Sequence, residues 1–130
     1  MEVKTDTKEK FHVMRVDCTH MSANMAAELN QKLLELLKDS TKNVVLNLSS
    51  VKSMDEEAAE SVTRIQQKFY ENNASFVICE IPKEVEEFLD SKHLLEIMNT
   101  TPTESEAGDI VQMEEIEREL FSDEEFEEEK

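Results

Sequence analysis

The stretch Val44-Val45-Leu46-Asn47-Leu48-Ser49-Ser50-Val51-Lys52-Ser53-Met54-Asp55-Glu56-Glu57-Ala58 decides the fold. It opens on a run of valine and leucine broken only by Asn47, the pattern of a strand covered on both faces. A short polar loop follows. A helix then starts near Asp55, with Ala58, Val62, Ile65 and Phe69 as its inner stripe. Asp55 suits the position preceding a helix, and Glu56 and Glu57 in the first turn complement the helix dipole. Ser53 with Glu56 three residues later offers a second way to cap the same helix. Either arrangement contributes on the order of 1 kcal/mol. In parallel α/β sheets, the point where a buried strand gives way to a helix is also where ligands and partners bind.

Upstream, Met25, Leu29, Leu33, Leu36 and Leu37 recur three and four residues apart and predict a helix, which Ser22 or Asn24 can cap. Before it, Phe11-His12-Val13-Met14-Arg15-Val16 reads as a strand with Phe11 and Val13 on one face. Met1 to Thr5 suits a partner strand, with Asp6 to Glu9 as the turn. Downstream, Asn72-Asn73 fits a left-handed turn ending the second helix. Phe76-Val77-Ile78-Cys79 is a second buried strand. Pro82 is placed to open a short helix with Val85, Phe88 and Leu89 inward. Leu94 to Met98 is the expected last short strand. Pro102 opens a final helix, over about 102 to 121, whose apolar residues include Ile110, Met113, Ile116 and Leu120. The order β-β-α-β-α-β-α-β-α, with strand–helix–strand repeats, predicts right-handed crossovers and an α/β fold around a mixed, mostly parallel sheet of about four to five strands.

The chain has 130 residues, enough for one domain with a real core. Acidic residues number 31 and basic residues 14, a net charge of −17. That charge argues against nucleic acid and anionic membrane surfaces as partners. From Glu114 to Lys130 there are ten acids and two bases, so about half of the excess lies in the last segment. Like-charge runs repel and resist packing. The expected organisation is therefore a domain over residues 1–121, including the final helix, and a disordered acidic tail over 122–130.

The single glycine excludes glycine-rich phosphate loops. Cys18 and Cys79 are too few and too far apart for a disulfide framework, and Cys79 reads as a small buried hydrophobe. No secretory leader and no membrane-length apolar run is evident, so a cytoplasmic protein is expected. No metal-ligand spacing is present, and neither a metal nor a cofactor is expected. Glu114, Glu115, Glu117 and Glu119 read as a solvated helix face. His12, His20 and His93 form no short motif with a serine or cysteine. A hydrolase would require one of them beside a nucleophile in a deep pocket.

The segment from Val44 to Asp55 resembles the core of the STAS domain, the fold of bacterial anti-sigma factor antagonists. In that family a buried strand leads through a short loop to Asp-Ser-Ser-Gly, which opens a helix. The resemblance covers about residues 3–120. It includes Ala27-Glu28-Leu29, the Phe76–Cys79 strand, Ile81-Pro82-Lys83-Glu84-Val85, His93-Leu94-Leu95-Glu96-Ile97-Met98, Thr101-Pro102-Thr103-Glu104 and the final Met113–Leu120 helix. It implies helices packed mainly on one side of the sheet. Asp55 is retained, Glu56 and Glu57 stand at the two serines, and Ala58 replaces the glycine. In partner-switching members the second serine is phosphorylated by an anti-sigma factor kinase; its counterpart here, Glu57, cannot accept phosphate.

The resemblance thus implies a non-enzymatic protein-binding module whose partner is an anti-sigma factor or kinase-like regulator, without the usual phosphoserine switch. Asp55, Glu56, Glu57 and Ala58 are the expected partner-facing edge, with Asp55 holding the loop by capping and Ser22, Ala23 and Asn24 flanking it. Ser53 and Ser61 are the nearby hydroxyls. The glutamates either imitate a permanently phosphorylated state or form a surface for a constitutive partner. The molecule is expected to be a monomer or weak homodimer. The rival reading is a scaffold that uses the final helix and tail, through exposed Ile116, Leu120 and Phe121.

Overall fold

The computed structural model describes residues 2–128, with side chains through Leu120. Two strands open the chain, β1 (Glu2–Thr7) and β2 (His12–Asp17), followed by the two-residue strand β3 (His20–Met21) and helix α1 (Ala23–Leu36). Strand β4 (Val44–Asn47) and the two-residue β5 (Ser53–Met54) lead into α2 (Glu56–Glu71). Then come β6 (Phe76–Cys79), α3 (Lys83–Ser91), a 3-10 turn over Leu95–Ile97, β7 (Thr100–Thr101) and α4 (Glu104–Glu128). The main sheet runs β1-β2-β4-β6-β7. All neighbours in it are parallel except β1 and β2, which form an antiparallel hairpin.

Alternation along the strands sends side chains to two cores. Met14, Val16, Val44, Leu46, Phe76 and Ile78 face α1, α2 and α3, where they meet Leu29, Leu33, Val62, Phe69, Val85 and Leu89. Phe69 meets Phe76 edge to face at a centroid distance of 5.0 Å. Phe11, Val13, Val45, Val77 and Cys79 face the other way, against Ala107 and Val111 of α4. Three helices therefore cover one face and one covers the other, in the mixed, mostly parallel α/β architecture expected. Both central strands are buried along their whole length. Asn73 ends α2 at φ 59°, the left-handed turn expected there.

Several boundaries differ from the sequence reading. β1 runs on to Thr7, through Asp6 of the expected turn. Leu94 to Met98 is not a strand. Leu94 lies beyond the left-handed His93 (φ 60°) that follows α3, the next residues coil into the 3-10 turn, and the edge strand forms at Thr100–Thr101. Pro102 does not open the last helix. Thr103 does, its hydroxyl accepting from the Glu106 amide at 3.2 Å, while Glu80 accepts from the Glu104 amide at 2.8 Å. The backbone of α4 continues past the expected boundary at 121. The side chains of the expected acidic tail, 122–130, lie outside the described residues.

Candidate functional site

After β4 the chain turns on itself. The Ser49 amide donates to the Asn47 side chain at 2.9 Å, and the Val51 amide to the Leu48 carbonyl at 3.0 Å. Leu48 and Val51 are buried, which pins the loop and leaves Ser49 and Ser50 on the surface. The chain then runs beside the segment before α1. Lys52 donates its amide to the Thr19 carbonyl at 2.7 Å, β5 pairs in parallel with β3, and the Asp55 amide donates to the Met21 carbonyl at 2.9 Å. This small ladder, anchored by buried Met21 and Met54, brings the starts of α1 and α2 side by side. Ala26, Ala58 and Ala59 are fully buried, so small residues let the two helices approach closely.

Asp55 binds both segments. Its side chain makes no cap to α2. One oxygen instead pairs with His20 Nε2 at 2.9 Å, and the other accepts from the Ala23 amide at 3.2 Å. Asp55 therefore holds the loop as expected, but through the neighbouring helix. The Ser53–Glu56 cap is not formed, because Ser53 Oγ lies 2.7 Å from His20 Nδ1. Ser22 caps α1, its hydroxyl accepting from the Met25 amide at 3.3 Å. With Asp55 and Ser53 engaged elsewhere, the first-turn amides of α2 lack a side-chain cap.

Glu56 and Glu57 are exposed at that helix start. Glu56 lies 3.8 Å from Lys92 Nζ at the end of α3, whose ammonium also sits 5.9 Å from the Phe88 ring centroid. Glu57 has no hydrogen-bonding or ionic partner among the described residues. Asn24 is exposed, and Ser22 and Ala23 are partly so. Ala58 is 0% exposed, which corrects its place in the expected partner-facing edge: it belongs to the buried core and offers no surface. Ser61 is tied to α1, its hydroxyl accepting from the Asn30 amide at 2.5 Å. The structure thus joins Ser22, Ala23, Asn24, Asp55, Glu56 and Glu57 into one acidic surface.

The sequence reading missed His20. Its pairing partners lie 33 and 35 residues away, and only the two-residue β3–β5 ladder puts them in reach. Serine, histidine and aspartate do meet here, but on an open surface: the His20 and Asp55 side chains are 50% and 47% exposed. A nucleophile site depends on donors preorganised in a water-excluded cavity, which so open a surface does not provide. His12 is buried between Thr7 and the Thr41 carbonyl, while His93 is exposed beside Glu96.

The STAS domain model matches residues 2–107. Solved structures with the same fold include the following three. An anti-sigma factor antagonist from Mycobacterium paratuberculosis is 16% identical, with 85% of this chain and 93% of that one covered, at a TM-score of 0.73. A serine-to-glutamate variant of RsbS from Moorella thermoacetica is 18% identical, with 86% and 96% covered, at 0.72. The anti-sigma factor antagonist SpoIIAA in its unphosphorylated form is 14% identical, with 85% and 96% covered, at 0.68. No curated protein matches the chain by sequence. Among the described residues, no helix is long and apolar enough to cross a membrane.

Proposed function

The chain belongs to the STAS domain family, and from that premise we propose that it is a non-enzymatic, cytoplasmic protein-binding module of the anti-sigma factor antagonist type. Its docking surface carries a fixed charge where partner-switching relatives carry a phosphorylatable serine. The fold supports a protein-binding regulatory role. The observation that carries the finer reading is Glu57, exposed and unpaired among the described residues at the start of α2, beside Ser22, Ala23 and Asn24.

A constitutive partner surface fits this geometry better than imitation of phosphoserine. A phosphoserine brings about −1.5 to −2 charge at one point. Here Glu56 is shared with Lys92, and Asp55 is held by His20 and the Ala23 amide. Only Glu57 presents an uncompensated carboxylate, and successive helical residues point about 100° apart. Such a surface suits a basic patch on the partner, with an association rate that falls as salt rises. The proposed partner is an anti-sigma factor or a kinase-like regulator.

The test is affinity capture from the native cell with wild type, Glu56→Ser/Glu57→Ser and Asp55→Ala. Wild type should recover an anti-sigma or kinase-like regulator, and Asp55→Ala should lose it while keeping the folded circular dichroism spectrum. Recovery of no such regulator by either wild type or the double-serine variant would falsify the assignment. Intact-mass analysis of wild type should find Ser53 and Ser61 unmodified; stoichiometric phosphate on either contradicts the absence of a switch.

A further inference from the structure

Among the described residues, the outer face of α4 carries three large apolar side chains that stay more than half exposed: Met113, Ile116 and Leu120 are 56%, 57% and 57% exposed. Their spacing of three and four places them on one stripe, about 10 Å long at 1.5 Å per residue. The same helix turns Ala107 and Val111 into the sheet. Its flanks are fastened by polar contacts: Glu114 accepts from the Tyr70 hydroxyl at 2.8 Å, and Arg118 donates to Ser75 Oγ at 2.9 Å and Asn43 Oδ1 at 3.0 Å. The exposed stripe is thus held rigidly outward, on the sheet face opposite α1 and α2.

The charges around it select the occupant. Glu106, Asp109, Glu117 and Glu119 are exposed on α4 near the stripe. Between Glu104 and Leu120 the only basic residue is Arg118, and its guanidinium is committed to Ser75 and Asn43; Lys8 and Lys10, from the turn after β1, reach one flank of the helix beside Gln112, where Lys8 pairs with Asp6 at 3.3 Å. A second copy of this helix would set carboxylates against carboxylates, in a chain of net charge −17. An anionic lipid surface is repelled for the same reason. A cationic helix with apolar anchors at matching spacing satisfies both the stripe and its acidic rim.

We propose that the outer face of α4 is a second docking surface, for a basic amphipathic helix of a partner protein. Met113, Ile116 and Leu120 are its anchors, and Glu106, Asp109, Glu117 and Glu119 its selective rim. This surface is independent of Asp55 and Glu57, so the molecule can join two proteins at once. Three apolar anchors make a small hot spot, suited to weak, reversible binding.

The test uses the full chain and three labelled peptides of about 18 residues, five helical turns. One is basic with leucines at i, i+3 and i+7; the second has the same leucines with glutamates; the third has the basic composition in scrambled order. Binding is read by fluorescence anisotropy near physiological salt, about 150 mM, so that loose charge attraction is screened. The basic amphipathic peptide should bind, and the other two should bind at least about tenfold more weakly, a difference of about 1.4 kcal/mol. Met113→Gln/Ile116→Gln/Leu120→Gln should weaken the first peptide by about the same factor, while Asp55→Ala leaves it unchanged. The side chains replaced are exposed, so folding is not at stake, and circular dichroism checks this. Equal binding of the scrambled peptide, no binding of the amphipathic one, or concentration-dependent self-association that Ile116→Gln abolishes each overturns the proposal.

Discussion

On one face of the sheet, α1, α2 and α3 bury Leu29, Leu33, Val62, Phe69, Val85 and Leu89 against the strands. On the other, among the described residues, α4 contributes Ala107 and Val111 to the buried apolar contact, with Ile110 partly buried against it. It is held at its margins by ionic and hydrogen-bonded clamps. Arg15 grips Glu104 with two nitrogens at 3.1 and 2.8 Å, and Asn47 donates to the same carboxylate at 2.9 Å. Tyr70 and Asn99 engage Glu114, Asn43 engages Glu115, and Ser75 and Asn43 accept from Arg118. Burial of apolar area is insensitive to pH and to moderate salt, whereas paired charges are not. The three-helix face is therefore the stable frame, and the α4 face is the side that responds to solution conditions.

The largest effect expected from breaking this comparison is in the frame. Phe69 is fully buried and meets Phe76 edge to face. Phe69→Ala should cost about 3–5 kcal/mol, a substantial part of the stability of a domain this size. Urea unfolding followed by circular dichroism measures it, and a loss below about 1 kcal/mol would mean that the three-helix core is not the frame.

The clamp comes next. Burial alone would raise the Glu104 pKa, but the bonds from Arg15 and Asn47 outweigh it and hold the carboxyl below its ordinary value of 4.5. A depressed native pKa contributes stability above the unfolded pKa, and that contribution is lost as pH falls through the native one. Glu104→Gln should cost about 1–2 kcal/mol at neutral pH, discounted because Arg15 is partly exposed. The difference from wild type should shrink as the pH drops below about 4.5. A deficit that stays constant into acid would show that the charge of Glu104 contributes nothing to the clamp.

The smallest effect is expected where Phe11, just before β2, meets α4. A Cβ on Gly108 would lie 3.0 Å from Phe11 Cζ. Gly108→Ala gains up to about 1 kcal/mol of helix propensity and requires the Phe11 ring to move a few tenths of an ångström. The ring borders an open surface groove, lined also by Lys8 and Gln112, toward which it is expected to shift. The two contributions should nearly cancel, leaving a change within about 0.5 kcal/mol. A large loss in thermal melting would show the α4 face to be packed as tightly as the other.

The contrast between the two faces also explains what could be read from the sequence. Ala58, Val62, Ile65 and Phe69 announce their burial by spacing, because that helix buries a continuous apolar stripe. The inner side of α4 is Ala107, Gly108 and Val111, too small to stand out beside Met113, Ile116 and Leu120, which face outward. The clamps were hidden for another reason: Arg15 and Glu104 are 89 positions apart. At the site, Asp55 and its neighbours were legible because a buried strand leads through a short loop into a helix. The role of Asp55 was legible only in outline, since its partners His20 and Ala23 are brought in by a two-residue ladder that carries almost no local signal.

That ladder makes the site a measure of completed folding. His20 and Ser53 are 33 positions apart, a span that includes all of α1 and β4. Until those elements have docked, Asp55 is one carboxylate among many on an acidic chain, with no geometry to distinguish it. A partner that reads the ladder-built surface therefore counts only finished molecules. Chains still emerging during synthesis, or misfolded afterwards, do not compete for it however numerous they are.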